Sequence, residues 1–279
     1  MTVSATDPVT ATLIPSVFAD ELAFAVDTAR AAGALLMDRY ERVGRIDYKS
    51  ARDVVTEVDH LSEELIIGAI RERFPGDGIV AEESGEHAPA GDAASASAAR
   101  VWIIDPVDGT INYANGIPFF CVSIGLAVEG RPAVGVVLDP TRDDLFAAAA
   151  DGPATLNGLP IRASTKDKLT DFVVQMALSG RSVATRARNV RKAIRISRSM
   201  GSSALALSYV ANGRFDAFVQ QGGMSNWDVA AAGLIAERAG ATVTDTNGGP
   251  WFDLGRKARG VSVVAAPPAH HPTILELVR

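Results

Sequence analysis

The chain has 279 residues, with 33 acidic against 27 basic side chains and a formal net charge of −6, which argues against a general binder of nucleic acid or anionic membrane. Hydrophobic residues make up 47% of it, enough for a sizeable core in one large domain or two packed subdomains, and no apolar run has the length to span a bilayer. Its single cysteine, Cys121, has no disulfide partner, and its first residues lack a basic or apolar leader, so a reducing cytoplasm is expected.

Residues 1–18 carry Thr, Ser and Pro without periodicity, and a mobile arm is expected there. From Asp20, Leu22, Ala25, Val26, Ala29, Ala32, Leu35, Leu36 and Tyr40 recur at helical spacing, predicting a helix that ends near Gly44. A mixed stretch from Tyr48 through Lys49 to Asp59 then opens a second helix over about 59–74, with Asp59 placed as its N-cap. A turn at 75–78 leads to a short strand, 79–81, that closes on Glu82 and Glu83. Adjacent glutamates are ordinarily a solvated loop, and 87–99, rich in Ala, Ser and Gly, is an expected exposed loop.

Val101 to Ile104 form a continuous, β-branched apolar run that reads as a buried strand. Asp105 stands at its carboxyl end, where open α/β sheets tend to place ligands, and Pro106 is expected to stop the strand. Asp108-Gly109-Thr110 then reads as a helix start with backbone N–H groups left for an anion. Two carboxylates three residues apart resist ionising together unless a hard divalent cation joins them, and an all-oxygen donor set suits Mg²⁺ or Mn²⁺. An ordinary Asx-turn gives the same pattern, so these residues alone leave both readings open.

Further on, 120–129, 132–138 and 145–149 read as an antiparallel meander, with a turn at 156–160. From Phe172 the texture becomes α/β: strand 172–177, helices 184–194 and 202–213, strand 215–220, helix 227–239, strands 241–244 and 261–265, helix 271–278. A subdomain boundary is therefore expected near 160–170. Asp228 opens the 227–239 helix and reads first as an N-cap. His60, His87, His270 and His271 lack metal-ligand spacing and read as surface or loop residues.

Six stretches, in order, resemble the inositol monophosphatase family, within the Mg²⁺-dependent, lithium-sensitive phosphatases. Asp105-Pro-Val-Asp108-Gly109-Thr110-Ile-Asn112-Tyr with Gly116-Ile-Pro118 looks like that family's first signature. Trp227-Asp228-Val-Ala-Ala-Ala-Gly with Ala239-Gly240 looks like its second. Ala81-Glu82-Glu83-Ser84 is similar to its acidic strand end, and Lys49 with Thr56-Glu57-Val58-Asp59 to its N-terminal metal loop. Leu156-Asn157-Gly158 and Gly201-Ser202-Ser203-Ala204 also sit in family order.

The resemblance implies a fold and a set of roles. The fold is α/β with an α+β N-terminal half, a layered αβαβα sandwich of the inositol monophosphatase/fructose-1,6-bisphosphatase type. After the arm, an α+β subdomain over 19–165 would carry the metal site, and an α/β subdomain over 166–279 would complete it. A homodimer is expected. Glu82, Asp105 and the Val107 carbonyl would hold a first Mg²⁺, which activates the attacking water. Asp105, Asp108 and Asp228 would share a second ion, and Glu82 would reach a third through water, with Mn²⁺ a substitute. Thr110, assisted by Asp59, would orient and deprotonate the nucleophile. The Gly109 and Thr110 amides would hold phosphate oxygens, with Asp108, Ser203, Asp228 and Lys49 also on the substrate side. The implied activity is metal-dependent hydrolysis of a small phosphorylated metabolite. Haloacid-dehalogenase-type phosphatases use aspartates two apart, which the Asp105 to Asp108 spacing does not match.

The chain departs from the family pattern at one substrate position. The family carries a ring-hydroxyl-binding glutamate after the strand corresponding to 215–219, where this chain has Gln220 and Gln221. Glutamine still bonds a hydroxyl but carries no charge, so histidinol phosphate, fructose bisphosphate, other sugar phosphates and 3′-phosphoadenosine phosphates stay open beside inositol 1-phosphate. Some bacterial relatives also act as partners in transcription and RNA processing. Arg181, Arg186, Arg188, Arg191, Lys192, Arg195 and Arg198 form a run without an acid. That run is expected to be a solvated helix face or an attractor of anionic substrate, with docking of RNA or a protein the alternative.

Overall fold

A computed structural model of the chain describes residues 16–42, 46–50, 53–89 and 99–279. Most of the expected N-terminal arm and of the 87–99 loop lies outside the described residues. The first half contains α1 (Ala19–Arg39), the hairpin β1 (Ile46–Ser50) and β2 (Asp53–Thr56), and α2 (Glu57–Arg73). Then come β3 (Gly78–Ala81), β4 (Gly85–His87), β5 (Arg100–Asp108), α3 (Thr110–Ala114), β6 (Cys121–Val128), β7 (Arg131–Asp139), β8 (Asp144–Ala149), β9 (Thr155–Leu156) and β10 (Leu159–Pro160). The second half contains β11 (Val173–Ala177), α4 (Val183–Ala193), β12 (Ile196–Arg198), α5 (Ser203–Ala211), β13 (Ala217–Met224), α6 (Asn226–Arg238), β14 (Thr242–Thr244), β15 (Val261–Ala266) and α7 (His271–Val278).

Two sheets result. The first runs β10-β9-β8-β7-β6-β5-β3-β4, antiparallel except where β3 lies parallel to β5. The second runs β12-β11-β13-β15-β14, with β11 parallel to both β12 and β13. One hydrophobic cluster seals α1 and α2 onto the outer face of the first sheet. A second, contributed by α5 and α6, fills the space between the sheets, and a third packs α4 and α7 on the outer face of the second sheet. The layering is αβαβα.

Sequence accounts for which helix goes where. In α6, Val229-Ala-Ala-Ala-Gly-Leu-Ile-Ala is buried throughout, as a helix apolar on every side must be. Its small residues let both sheets come close: a Cβ on Gly135 of β7 would lie 2.6 Å from the Ala231 carbonyl oxygen. By contrast α4 buries only Arg186, Ala187 and Val190, so it lies at the surface.

Several local expectations give way. Asp59 and Asp228 are not N-caps: Thr56 and Ser225 take those positions, and each aspartate is the third helical residue of a capping box. Pro106 does not end its strand, because the pairing of β5 with β6 slips between Asp105 and Asp108 and a proline is tolerated where a ladder hydrogen bond is already missing. His271 is not a surface residue; it is buried at the start of α7, its Nε2 3.0 Å from the Thr244 hydroxyl. Arg186 is not on a solvated face either.

Candidate active site

The site forms where β3 and β5 end and where α3, α5 and α6 begin. The slip in β5 brings Asp105 and Asp108 to one side, and the tight turn after them needs Gly109, whose φ is +98°. A Cβ there would come within 3.1 Å of the Phe119 carbonyl oxygen and 3.2 Å of Ser202 Cβ, so the loop is pressed against the rest of the molecule. Asp105, Asp108 and Asp228 each offer an oxygen within 4.8 Å of the others. With Glu82, Val107, Gly109, Thr110, Ile111 and Gly201 they line a cleft of about 140 Å³.

Each aspartate is aimed by one hydrogen-bonded oxygen. Asp105 Oδ1 accepts from the Val107 amide at 3.0 Å. Asp108 Oδ2 accepts from the Ser202 hydroxyl at 2.5 Å and the Ala204 amide at 2.6 Å, which ties it to the start of α5. Asp228 Oδ2 accepts from the Ser225 amide at 2.5 Å. Burial, and then the neighbouring charges of Glu82, Asp108 and Asp228, hold Asp105 well above the usual carboxylate range. Burial and Asp108 do the same to Asp228. Burial raises Asp108 also, against the lowering pull of Ser202 and the α5 amides. Three acids this close are short of positive charge, and their donor set is all oxygen. That chemistry fits a hard divalent ion such as Mg²⁺.

Beside the cluster, the Thr110 hydroxyl lies 2.9 Å from Asp59 Oδ1 and 3.0 Å from the Val107 carbonyl oxygen. Both are acceptors, so its one proton faces inward and an oxygen lone pair is left for another donor. Asp59 is fixed in turn by the Thr56 amide at 2.9 Å and the Thr56 hydroxyl at 2.6 Å. The first amides of α3 have no partner within that helix by construction.

The remaining expected site residues fall in different places. Ser203 Oγ lies 3.2 Å from Gln220 Oε1, which puts Gln220 on the α5 side of β13. Gln221 lies on the other side, bonded to Arg186. Lys49 falls on β1, and its side chain lies outside the described part of the chain. Ser202 and Ser225, which aim Asp108 and Asp228, were not singled out from sequence as site residues. The spacings Thr56-x-x-Asp59 and Ser225-x-x-Asp228 are the signal that marks both box caps.

Comparison with known proteins bears on the chain as a whole. The profile described as the inositol monophosphatase family matches residues 19–279. A protein named Nus factor SuhB from Pasteurella multocida is 39% identical over 255 residues, covering 88% of this chain and 91% of its own. An inositol monophosphatase from Mesembryanthemum crystallinum is 34% identical, covering 82% and 86%. The solved structure of a Thermotoga maritima IMPase superposes with a TM-score of 0.82 at 32% identity, covering 93% and 96%.

Proposed function

The chain belongs to the inositol monophosphatase family, and on that premise we propose that it is a Mg²⁺-dependent phosphomonoesterase acting on a small phosphorylated metabolite. The observation that carries this reading is the convergence of Asp105, Asp108 and Asp228 within 4.8 Å, next to the Thr110–Asp59 pair. Glu82, Asp105 and the Val107 carbonyl would hold one ion, and Asp105, Asp108 and Asp228 a second. When bound, the ions supply the positive charge that phosphoryl transfer to water requires.

The chain's own groups do the rest. Asp59, anchored by Thr56, takes the Thr110 proton, so the Thr110 oxygen can accept from the attacking water and orient it. The amides at the start of α3 hold phosphoryl oxygens. Ser202 and the α5 amides keep Asp108 in place without cancelling its charge. The test is phosphate release from a panel of phosphomonoesters by chelator-treated protein as Mg²⁺ is restored. Release that is absent at every Mg²⁺ concentration, from a folded protein, ends the reading.

A second reading is favoured by the exposed Arg188, Arg191 and Lys192 of α4 and by the relatives named Nus factor SuhB. On it, this chain binds nucleic acid or a transcription complex despite its net charge, and RNA binding in a gel-shift assay tests it. The homodimer belongs to the first reading, with solution mass as its test. Among the described residues no helix is long and apolar enough to cross a membrane.

A further inference from the structure

β11, β12 and β13 run parallel and are followed by α4, α5 and α6, so all three helices start at the carboxyl edge of the second sheet. The α5 and α6 starts frame the carboxylate cleft. The α4 start frames another cleft, of about 520 Å³, lined among others by Arg181, Arg186, Gln221, Ser262 and Arg279. β13 separates the two. Its residues alternate in side: Phe218 packs with α5 and α6, Val219 with α4 and α7. Gln220 accordingly meets Ser203 and Gln221 meets Arg186. Just beyond them the regular pairing with β15 breaks at Gly222 and Gly223, both at positive φ.

No aspartate or glutamate side chain lines the second cleft. Arg186 is only 9% exposed and, among the described residues, has no carboxylate partner. Its guanidinium is held instead by neutral acceptors: the carbonyls of Ser179 at 2.6 Å, Arg181 at 2.8 Å and Val278 at 3.0 Å, and Gln221 Oε1. A buried charge held only by dipoles leaves a field unneutralised. A guanidinium cannot accept, so it must take the oxygen of the Gln221 amide. The Nε2 end is then left over, and no described residue accepts from it. The Ser179 hydroxyl is likewise used, donating to the Gln221 carbonyl. Among the described residues Arg279 donates to the carbonyls of Thr246 and Asn247 and to no carboxylate, and Arg181 is exposed without an ion pair. The cleft thus offers amide N–H and guanidinium donors, and its acceptors are neutral hydroxyl and carbonyl oxygens. Guanidinium groups without a carboxylate side chain among them suit an anion.

We propose that this cleft seats a second anionic group, a phosphate or carboxylate carried on the alcohol half of the substrate. Arg181, Arg279 and the Gln221 amide are its direct partners, and Arg186 is a positioning residue that orients Gln221. The inference rests on the phosphomonoesterase reading and refines it: the preferred substrate is a bisphosphate or a phosphorylated acid.

The test compares kcat/KM within pairs that differ by one phosphate: inositol 1-phosphate with inositol 1,4-bisphosphate, and fructose 1-phosphate with fructose 1,6-bisphosphate. The bisphosphate leads in at least one pair by about tenfold or more, the worth of a charge-assisted hydrogen bond. Arg181→Ala/Arg279→Ala brings that ratio to within about twofold, whereas Arg188→Ala, on the exposed face of α4, leaves it. A ratio near one in the unmodified protein, or one the double variant does not change, overturns the proposal. If no compound releases phosphate, the phosphatase reading has failed, and calorimetric titration with the same pairs judges the cleft. Tighter bisphosphate binding that the double variant abolishes supports the proposal; equal affinities overturn it. Single-stranded RNA that displaces the bisphosphate, and is itself lost on Arg181→Ala/Arg279→Ala, assigns the cleft to RNA and also overturns it.

Discussion

The starts of α2 and α6 are built to one plan and put to different uses. In each, a hydroxyl residue caps the helix, and an aspartate three residues on reaches back to the cap's amide. At α2 both oxygens of Asp59 are occupied, Oδ2 by the Thr56 amide and hydroxyl and Oδ1 by Thr110. At α6 the Ser225 amide meets Oδ2 of Asp228, while the Ser225 hydroxyl accepts from the Arg259 amide instead. The second Asp228 oxygen is thereby left to the cluster with Asp105 and Asp108. On the proposed reading the same local motif would yield a proton acceptor in one place and a metal ligand in the other, with the tertiary partners deciding which.

The comparison breaks most visibly through Asp228→Asn. Loss of one carboxylate charge where the transition state needs it lowers turnover by about a hundred- to a thousandfold, by analogy with removal of a preorganised electrostatic group. In chelator-treated protein the melting temperature is not lowered, because a repulsive neighbour of Asp105 and Asp108 has gone. Asp108→Asn behaves alike in turnover. Phosphate release and a thermal melt on one preparation check both; full turnover by Asp228→Asn at saturating Mg²⁺ rejects a ligand role.

Next in size is the response to Mg²⁺ itself. A ligand that binds only the folded state stabilises it by about 2.7 kcal/mol at a hundredfold excess over its Kd. Chelator-treated protein should gain that stability as Mg²⁺ is added. Asp59→Asn keeps the gain and Asp228→Asn loses most of it, which separates the two aspartates without any reference to turnover. An equal Mg²⁺ response in both variants would make the two helix starts equivalent after all.

What could be read in the sequence follows the same division between local and tertiary. The apolar run 101–104, the helical spacing from Leu22 to Leu36 and the uniformly small α6 stretch are strong periodic signals, and each gives the expected element. The hairpin β1–β2, the edge strand β4 and the short β12 carry mixed, polar sequence with no clear alternation; partners make them strands, not propensity. Pro106 suggests a strand end only if the register is assumed regular. Arg186 looked like one of a row of surface arginines, yet it stands four residues before Val190 and beside Ala187, on the buried stripe of α4. Its position was readable from spacing; its neutral partners, drawn from 179–181, Gln221 and Val278, were not. The grouping of Asp228 with residues more than a hundred positions earlier is equally invisible to any local rule, and only the resemblance pointed to it.

The smallest effects should come from the caps, and they sharpen the contrast. Thr56→Ala removes a cap and also the hydroxyl bonded to the buried carboxylate of Asp59 at 2.6 Å. A helix cap is worth about 1 kcal/mol, and loss of a hydrogen bond to a charged group about 1.5–3 kcal/mol; the two overlap here, so a total of about 2 kcal/mol is expected. Ser225→Ala removes a hydroxyl that does not bond the Asp228 carboxylate; it accepts from neutral backbone amides, that of Arg259 at 2.9 Å and that of Asp228 in the capping box. The aspartate still has the backbone amide of residue 225, which alanine keeps, so the cost should fall to about 0.5–1 kcal/mol. Denaturant unfolding of both variants measures the difference directly. Thr56→Ala should be the more damaging of the two, and Ser225→Ala should keep the Mg²⁺-dependent gain. The reverse order would mean that Asp228 depends on its cap as Asp59 does, and that the two starts differ in burial alone.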